Sequence, residues 1–309
     1  MNKITIIITA FKEALTVAKL VENIEKQIGV LFAKDRIKRS FEILLVCPDK
    51  ETQKAGQAKD GLGILKLVKD KNQGKPAALN LGISKAQGKI LVLSDGDVFW
   101  KPNALRHILI PFDQEKVGLV TGRPVTKNSR KTLFGFWSHL LTDAGAHQKR
   151  LSREKKGDYL DGSGYLMAVR KKLLSKLPKR VLADDAFISQ RVWRQGYQIK
   201  YAPEAIVEVK YPDNWRDWLL QKRRSLGGYL QLEEFFKESP GRPLKEMRTF
   251  SNELKGIGQA LDYPNSPKEY WWLILLVLAR FYLWLAVFWD RKILKKKIIG
   301  PWARIESTK

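Results

Sequence analysis

Asp95-Gly96-Asp97 directly follows the apolar run Ile90–Ser94. Two carboxylates one residue apart at a strand end can converge on one hard divalent cation, which in turn bridges phosphate oxygens. A plain Asp-Gly turn has the same local sequence. Upstream, Asn72-Gln73-Gly74-Lys75-Pro76 and the residues to Asn80 form a polar glycine turn opening a helix. Its amides and the Lys75 ammonium suit an anionic diphosphate, although an ordinary capped helix start would look alike. Two further acids, Glu13 after Ile4–Ala10 and Asp49 after Phe41–Cys47, stand where a strand end could offer acceptors to a base or a ribose.

Such residues need a scaffold that brings strand ends together. Short β-branched runs at Ile4–Ala10, Phe41–Cys47, Leu65–Val68, Ile90–Ser94 and Val117–Thr121 alternate with helical spacing at Glu13–Ile28, Pro76–Ala86 and Asn103–Phe112. Strands apolar throughout, separated by helices, predict an α/β fold whose mostly parallel central sheet is covered on both faces. In such open sheets ligands bind outside the carboxyl ends of the strands. Thr132–Ala146 places apolar residues on one helical face, suited to core packing or to lining an acceptor groove.

The ordered set Ala10–Glu13, Asp49, Asn72–Asn80, Asp95-Gly96-Asp97, then Asp161-Gly162-Ser163-Gly164 and Leu182-Ala183-Asp184-Asp185, resembles glycosyltransferase family 2 over roughly residues 3–225. The resemblance implies a GT-A fold, an inverting transfer from a nucleotide-sugar, and Mg2+ or Mn2+ as cofactor. It places Ala10, Glu13 and Asp49 at the nucleoside and Lys75 near the nucleotide. Asp95 and Asp97 fall at the sugar-diphosphate and metal, with Gly162 and Ser163 also on the donor. Asp185 becomes the general base, with Asp184 beside it. Gln221 and Arg224 resemble the Gln-x-x-Arg-Trp element of processive members, but Ser225 replaces the tryptophan, which speaks against long-chain polymerisation. Cys47-Pro48 before Asp49 is a second departure. Chemically the set is coherent. Displacing a nucleoside diphosphate requires a neutralised leaving group, an oriented hydroxyl and a proton acceptor, and a carboxylate beside another has its pKa raised toward the working range. A helix N-terminal charge pair is the plainer account of Asp184-Asp185.

The 309 residues carry 57 Lys+Arg against 32 Asp+Glu, a formal charge of +25, which points to a polyanionic partner. A basic nucleic-acid- or anionic-membrane-binding protein without catalysis is the competing class. Acids at the strand ends and the lack of a nucleic-acid motif argue against a nucleic-acid partner. His107, His139 and His147 lack metal-ligand spacing, the lone Cys47 fits a reducing compartment, and no signal peptide is expected. Tyr270–Trp289 holds 20 residues with Arg280 its only charge, and Arg291–Lys297 has five basic residues in seven. Together they predict contact with anionic lipids by a spanning, re-entrant or in-plane segment; a buried helix hairpin or an oligomer contact is the alternative. Trp215 and Trp218 suit a membrane-surface helix or core burial equally. The expected organisation is a nucleotide-sugar half at 1–98, an acceptor and catalytic half at 99–230, and a helical region at 231–309 whose membrane segment is 270–289. The donor is expected to be a UDP-sugar, or a GDP-sugar, and the acceptor lipid-linked or a polysaccharide. The catalytic domain would then face the cytoplasm.

Overall fold

The computed structural model of the protein describes residues 3–35, 40–237, 240–242, 257–290 and 305–308. It begins with regular alternation: β1 (Ile4–Thr9), α1 (Ala14–Asp35), β2 (Phe41–Cys47), α2 (Lys50–Gln57), β3 (Leu65–Lys69), α3 (Lys75–Lys85) and β4 (Ile90–Asp95). Every residue of β1 and β2 is buried, as is β4 up to Ser94. That burial on both faces is why these runs are apolar without alternation. β5 (Phe99–Trp100), α4 (Ala104–Leu109), β6 (Val117–Thr126), α5 (Leu133–Leu140), α6 (Gln148–Lys155), β7 (Leu166–Arg170), α7 (Asp184–Arg194), β8 (Gln198–Val209), α8 (Trp215–Phe236) and α9 (Pro267–Phe288) follow.

The strands form one sheet in the order β3-β2-β1-β4-β7-β6-β8-β5. β1 pairs in parallel with β2 and β4, and β2 with β3. β7 then runs antiparallel to both β4 and β6, and β5 antiparallel to β8. The parallel sheet expected from the apolar runs is therefore one half of a mixed sheet. The register Thr9↔Val46 and Thr9↔Asp95 aligns the carboxyl ends of β1, β2 and β4.

Two helical expectations change in detail. The run Asn103–Phe112 is α-helical only to Leu109 and continues as a 3-10 turn over Ile110–Asp113. Pro111 lacks an N–H and so cannot extend the i→i−4 ladder of α4. In Thr132–Ala146, α5 gives way to a π-helix at Leu141–His147. There the Thr142 hydroxyl donates to the carbonyls of Ser138 and His139, entering the helical ladder.

Two compact units are distinguished along the chain. One comprises Met1–Pro124, Arg153–Lys179 and Asp184–Val209; the other comprises Val125–Ser152, Arg180–Ala183 and Lys210–Lys309. In the second unit, α5, α8 and α9 share a core of Phe136, Trp137, Leu140, Trp218, Leu273 and Leu276. The Trp137 indole N–H donates to the Trp272 carbonyl at 2.7 Å. Leu226 packs with Leu283 and Val287 in a neighbouring cluster. Trp218 is thus a core residue, whereas Trp215 is half-exposed and stacks on it. α9 is long and apolar enough to cross a membrane. The basic run Arg291–Lys297 lies outside the described residues.

Candidate active site at the strand ends

The first unit gathers acids at the carboxyl ends of its parallel strands. After β1 the chain turns through Lys12, whose φ of 54° lies in the left-handed region. This directs the Lys12 N–H to Asp49 Oδ2 at 2.9 Å and the Glu13 N–H to Thr52 Oγ1 at 3.0 Å. Asp49 also caps α2 by accepting from the Thr52 N–H at 2.9 Å. Burial pushes the Asp49 carboxyl upward, but these hydrogen bonds win and hold it below the usual carboxylate range. Asp70, which follows β3, is an acid that the sequence pattern did not single out. Burial raises its pKa, and the charge of Asp49 adds to the shift. The available signal was a third strand end closed by an acid.

Gly96 lies between Asp95 and Asp97 because no side chain fits there. A Cβ at that position would stand 2.6 Å from Glu13 Oε2 and 2.7 Å from the Ala10 Cβ. Glu13 can swing aside, but Ala10 Cβ is fixed to the backbone of the β1 turn. Gly96→Ala is therefore expected to cost about 1–3 kcal/mol in denaturant unfolding. An unchanged midpoint would mean that Ala10 and Glu13 are not pinned against this turn.

Lys75 opens α3 directly after Gly74, whose φ of 91° suits glycine. Its Nζ stands 2.6 Å from Asp95 Oδ1 and 3.5 Å from Asp184 Oδ2. The expected donor for a diphosphate is thus a bridge between two carboxylates from distant parts of the chain. Burial alone would lower its pKa; Asp184 and Asp95 overcome that and raise it above the ordinary lysine value. Burial likewise raises Asp95, with Lys75 opposing and the Asp97 charge reinforcing the shift. Asn80, at the far end of the Asn72–Asn80 stretch, is structural, because its amide exchanges two hydrogen bonds with the Leu177 backbone.

Asp184 and Asp185 form the first turn of α7. Asp184 is buried, while Asp185 accepts from the Gly164 N–H at 3.1 Å and the Ala186 N–H at 2.8 Å. Burial, then the Asp184 charge, pushes Asp185 up to about 6, against the pull of Lys75. The loop Asp161–Gly164 hangs on the same helix. The Gly162 N–H donates to Ser189 Oγ at 2.8 Å, and that hydroxyl donates to the Asp185 carbonyl at 2.7 Å. A Cβ on Gly162 would meet Ser189 Oγ at 2.8 Å, and one on Gly164 would meet Lys75 Nζ at 3.1 Å. Ser163 between them is buried. Ser189 was missed in the sequence because its role depends on a loop 27 residues away. Gln221 and Arg224 lie on α8 in the second unit.

The strand-end acids, Lys75 and the Asp184-Asp185 pair thus belong to one compact unit. Asp95 and Asp97 offer hard oxygen donors. Among the described residues, no group of three or more His, Cys, Asp or Glu side chains could hold a metal by itself. Two carboxylates fit a cation of the Mg2+ or Mn2+ type when phosphate oxygens and water complete its shell.

The profile of glycosyltransferase-like family 2 matches residues 2–228. A probable glycosyltransferase of Bacillus subtilis, YdaM, is 25% identical over 254 residues, covering 77% of this chain and 59% of that protein. A poly-beta-1,6-N-acetyl-D-glucosamine synthase of Staphylococcus aureus is 24% identical over 242 residues, covering 76% of this chain and 57% of its own length. The chain therefore spans little more than half the length of the curated relatives it matches. Among solved structures, the mannosyltransferase PcManGT of Pyrobaculum calidifontis, in complex with GDP-Man and Mn2+, superposes with a TM-score of 0.64 at 19% identity. That match covers 94% of this chain and 88% of the archaeal one, and it shows a shared fold.

Proposed function

The chain belongs to glycosyltransferase-like family 2 and has a GT-A-like fold, and on that premise we propose that it transfers a sugar, with inversion, from a nucleotide-sugar to a lipid-linked or glycan acceptor. The observation that carries this reading is the Lys75 bridge, which ties Asp95 on the donor side to the Asp184-Asp185 pair. Residues 1–98 serve as the nucleotide-sugar half and 99–230 as the acceptor half. Glu13 and Asp49, joined by Asp70, face the nucleoside, and Ala10 packs beneath it. Gly162 and Ser163 complete the donor site within the first unit. The acceptor hydroxyl attacks the anomeric carbon, its proton passes to Asp185, and the bond to the diphosphate oxygen breaks. A divalent cation held by Asp97 and Asp95 would neutralise charge on the leaving diphosphate. The donor is a UDP-sugar or a GDP-sugar, the latter supported by the GDP-Man complex of PcManGT. The apolar α9, which includes most of the membrane segment expected at 270–289, supports transfer at a membrane; we assign the cytoplasmic face because the nucleotide-sugar donor is cytoplasmic.

Thermal melting across nucleotide sugars with Mn2+ or Mg2+ tests the reading, since a true donor raises the midpoint by mass action. Calorimetry then tests the metal. Chelation with EDTA, and separately Asp97→Ala, is expected to weaken donor binding by more than about tenfold. Unchanged affinity in both measurements would remove the metal role from Asp97. Lack of any nucleotide-sugar shift would remove the transferase reading itself.

A further inference from the structure

The exposed side chains of α9 fall on one face along its entire length. Trp271 is 58% exposed, Leu278 58% and Leu285 52%, one heptad apart, with Ile274 and Phe281 between them. The opposite stripe, Leu273, Leu276, Leu283 and Val287, is buried against α5 and α8. Arg280 continues the spacing of that packed stripe, so the charge that interrupts the apolar run belongs to the protein side of the helix. α8, which α9 packs against, carries seven charged residues in 22. Both ends of α9 are tied to this same polar body. Glu269 in its first turn takes two hydrogen bonds from Arg130, each 2.8 Å long, and Asp290 beyond its last turn pairs with Arg223 of α8. Further on, the Ser307 N–H donates to Asp217 in the first turn of α8 at 3.0 Å.

A helix that crosses the bilayer cannot keep these partners. α8 would have to follow it into hydrocarbon, where each charge is heavily penalised, and the chain after α9 would end on the far side from Asp217. We propose that α9 is an in-plane membrane anchor. It lies along the surface of an anionic bilayer, immersed through its Trp271–Leu278–Leu285 face only, with both ends on the side of the protein body. Lipid is the occupant that fits. The face carries aromatic side chains along its whole length, with Tyr270 and Trp271 near its start, Phe281 and Tyr282 beyond its middle and Phe288 and Trp289 at its end, as suits a helix lying at the interface throughout. It is followed directly by the basic run Arg291–Lys297, suited to anionic headgroups. This inference concerns how the chain meets a membrane and holds whatever sugar is transferred.

Spin labels on cysteines placed singly at 271, 278 and 285 of the full chain test it on vesicles of phosphatidylcholine and phosphatidylglycerol. Cys47 is buried with its thiol pushed up to about 12, so labelling reports the introduced site. Oxygen and nickel-chelate accessibility should place all three labels at one shallow depth, roughly 5–10 Å below the headgroups. A label at 278 near the bilayer centre, with 271 and 285 toward opposite surfaces, would establish a span and overturn the proposal. Water-like accessibility at all three on vesicle-bound protein would overturn it too. So would failure to bind vesicles together with sedimentation as a dimer, which would assign the face to a second copy. Leu278→Glu should lower vesicle partitioning by roughly tenfold or more while leaving the thermal midpoint unchanged, because this side chain points away from the core. Undiminished partitioning by that variant would place the anchor elsewhere.

Discussion

Asp185→Asn is expected to lower the rate of sugar transfer by about 10²–10⁴-fold while donor affinity stays near that of the unaltered enzyme. The substitution removes the proton acceptor and leaves Asp95, Asp97 and Lys75 in place. The surroundings of Asp185 suit it to accept that proton. Burial and the Asp184 charge bring it to about 6, close enough to neutral pH to be both ionised and basic. The base works deprotonated, so kcat/KM should fall as pH drops through about 6, well above the range of an ordinary carboxylate. Two N–H groups, of Gly164 and Ala186, point at the carboxylate, and an asparagine can offer its carbonyl oxygen to only one of them. A stability loss of about 1–3 kcal/mol should accompany the variant, so its melting is measured beside its turnover. Asp184→Asn is the necessary companion. If it abolished turnover while Asp185→Asn retained it, the two members of the pair would exchange roles.

The second large effect is expected at Lys75. Replacing it with Met keeps much of the side-chain volume and removes the only ammonium bridging Asp95 and Asp184 among the described residues. Breaking a buried ion pair from one side leaves uncompensated charge and costs about 3–5 kcal/mol. That figure applies because the Lys75 side chain is only 15% exposed and the Asp184 side chain 5%. Denaturant unfolding of Lys75→Met without divalent cation should show the full loss. Lys75→Arg should recover part of it, since charge returns although the guanidinium is bulkier beside Gly164. A Met variant as stable as the unaltered chain would mean that the carboxylates take up protons instead, and that the bridge contributes little.

Much of the scaffold follows from local pattern. Ile4–Thr9, Phe41–Cys47 and Ile90–Asp95 are strands within a residue of their apolar runs, because only double-sided burial tolerates such sequences. Asp49 and Asp95-Gly96-Asp97 sit at strand ends because a turn must follow, and Asp and Gly favour turns. Lys75 shows where local reading stops. Its place at a helix start is visible in Gly74-Lys75-Pro76, yet its partners Asp95 and Asp184 lie 20 and 109 residues away. Asp49 was legible as a strand-end acid, but its use as the cap of α2 appears only with the Thr52 hydrogen bond. The π-helix at Leu141–His147 was hidden because Thr142 enters the ladder through a hydroxyl whose direction no periodicity records.

The sequence by itself determined that this is an α/β chain with acids at strand ends, a large basic excess and one apolar segment near residue 280. These are properties of composition and of spacing over a few residues, where sterics and burial act directly on neighbouring side chains. Only the tertiary structure decided that β7 enters the sheet antiparallel, that Lys75 joins Asp95 to Asp184, and which face of α9 is left uncovered. Each of these depends on contacts between segments far apart in the chain. An apolar run carries the same signal whether it faces lipid or protein, and only the packed partner breaks that degeneracy.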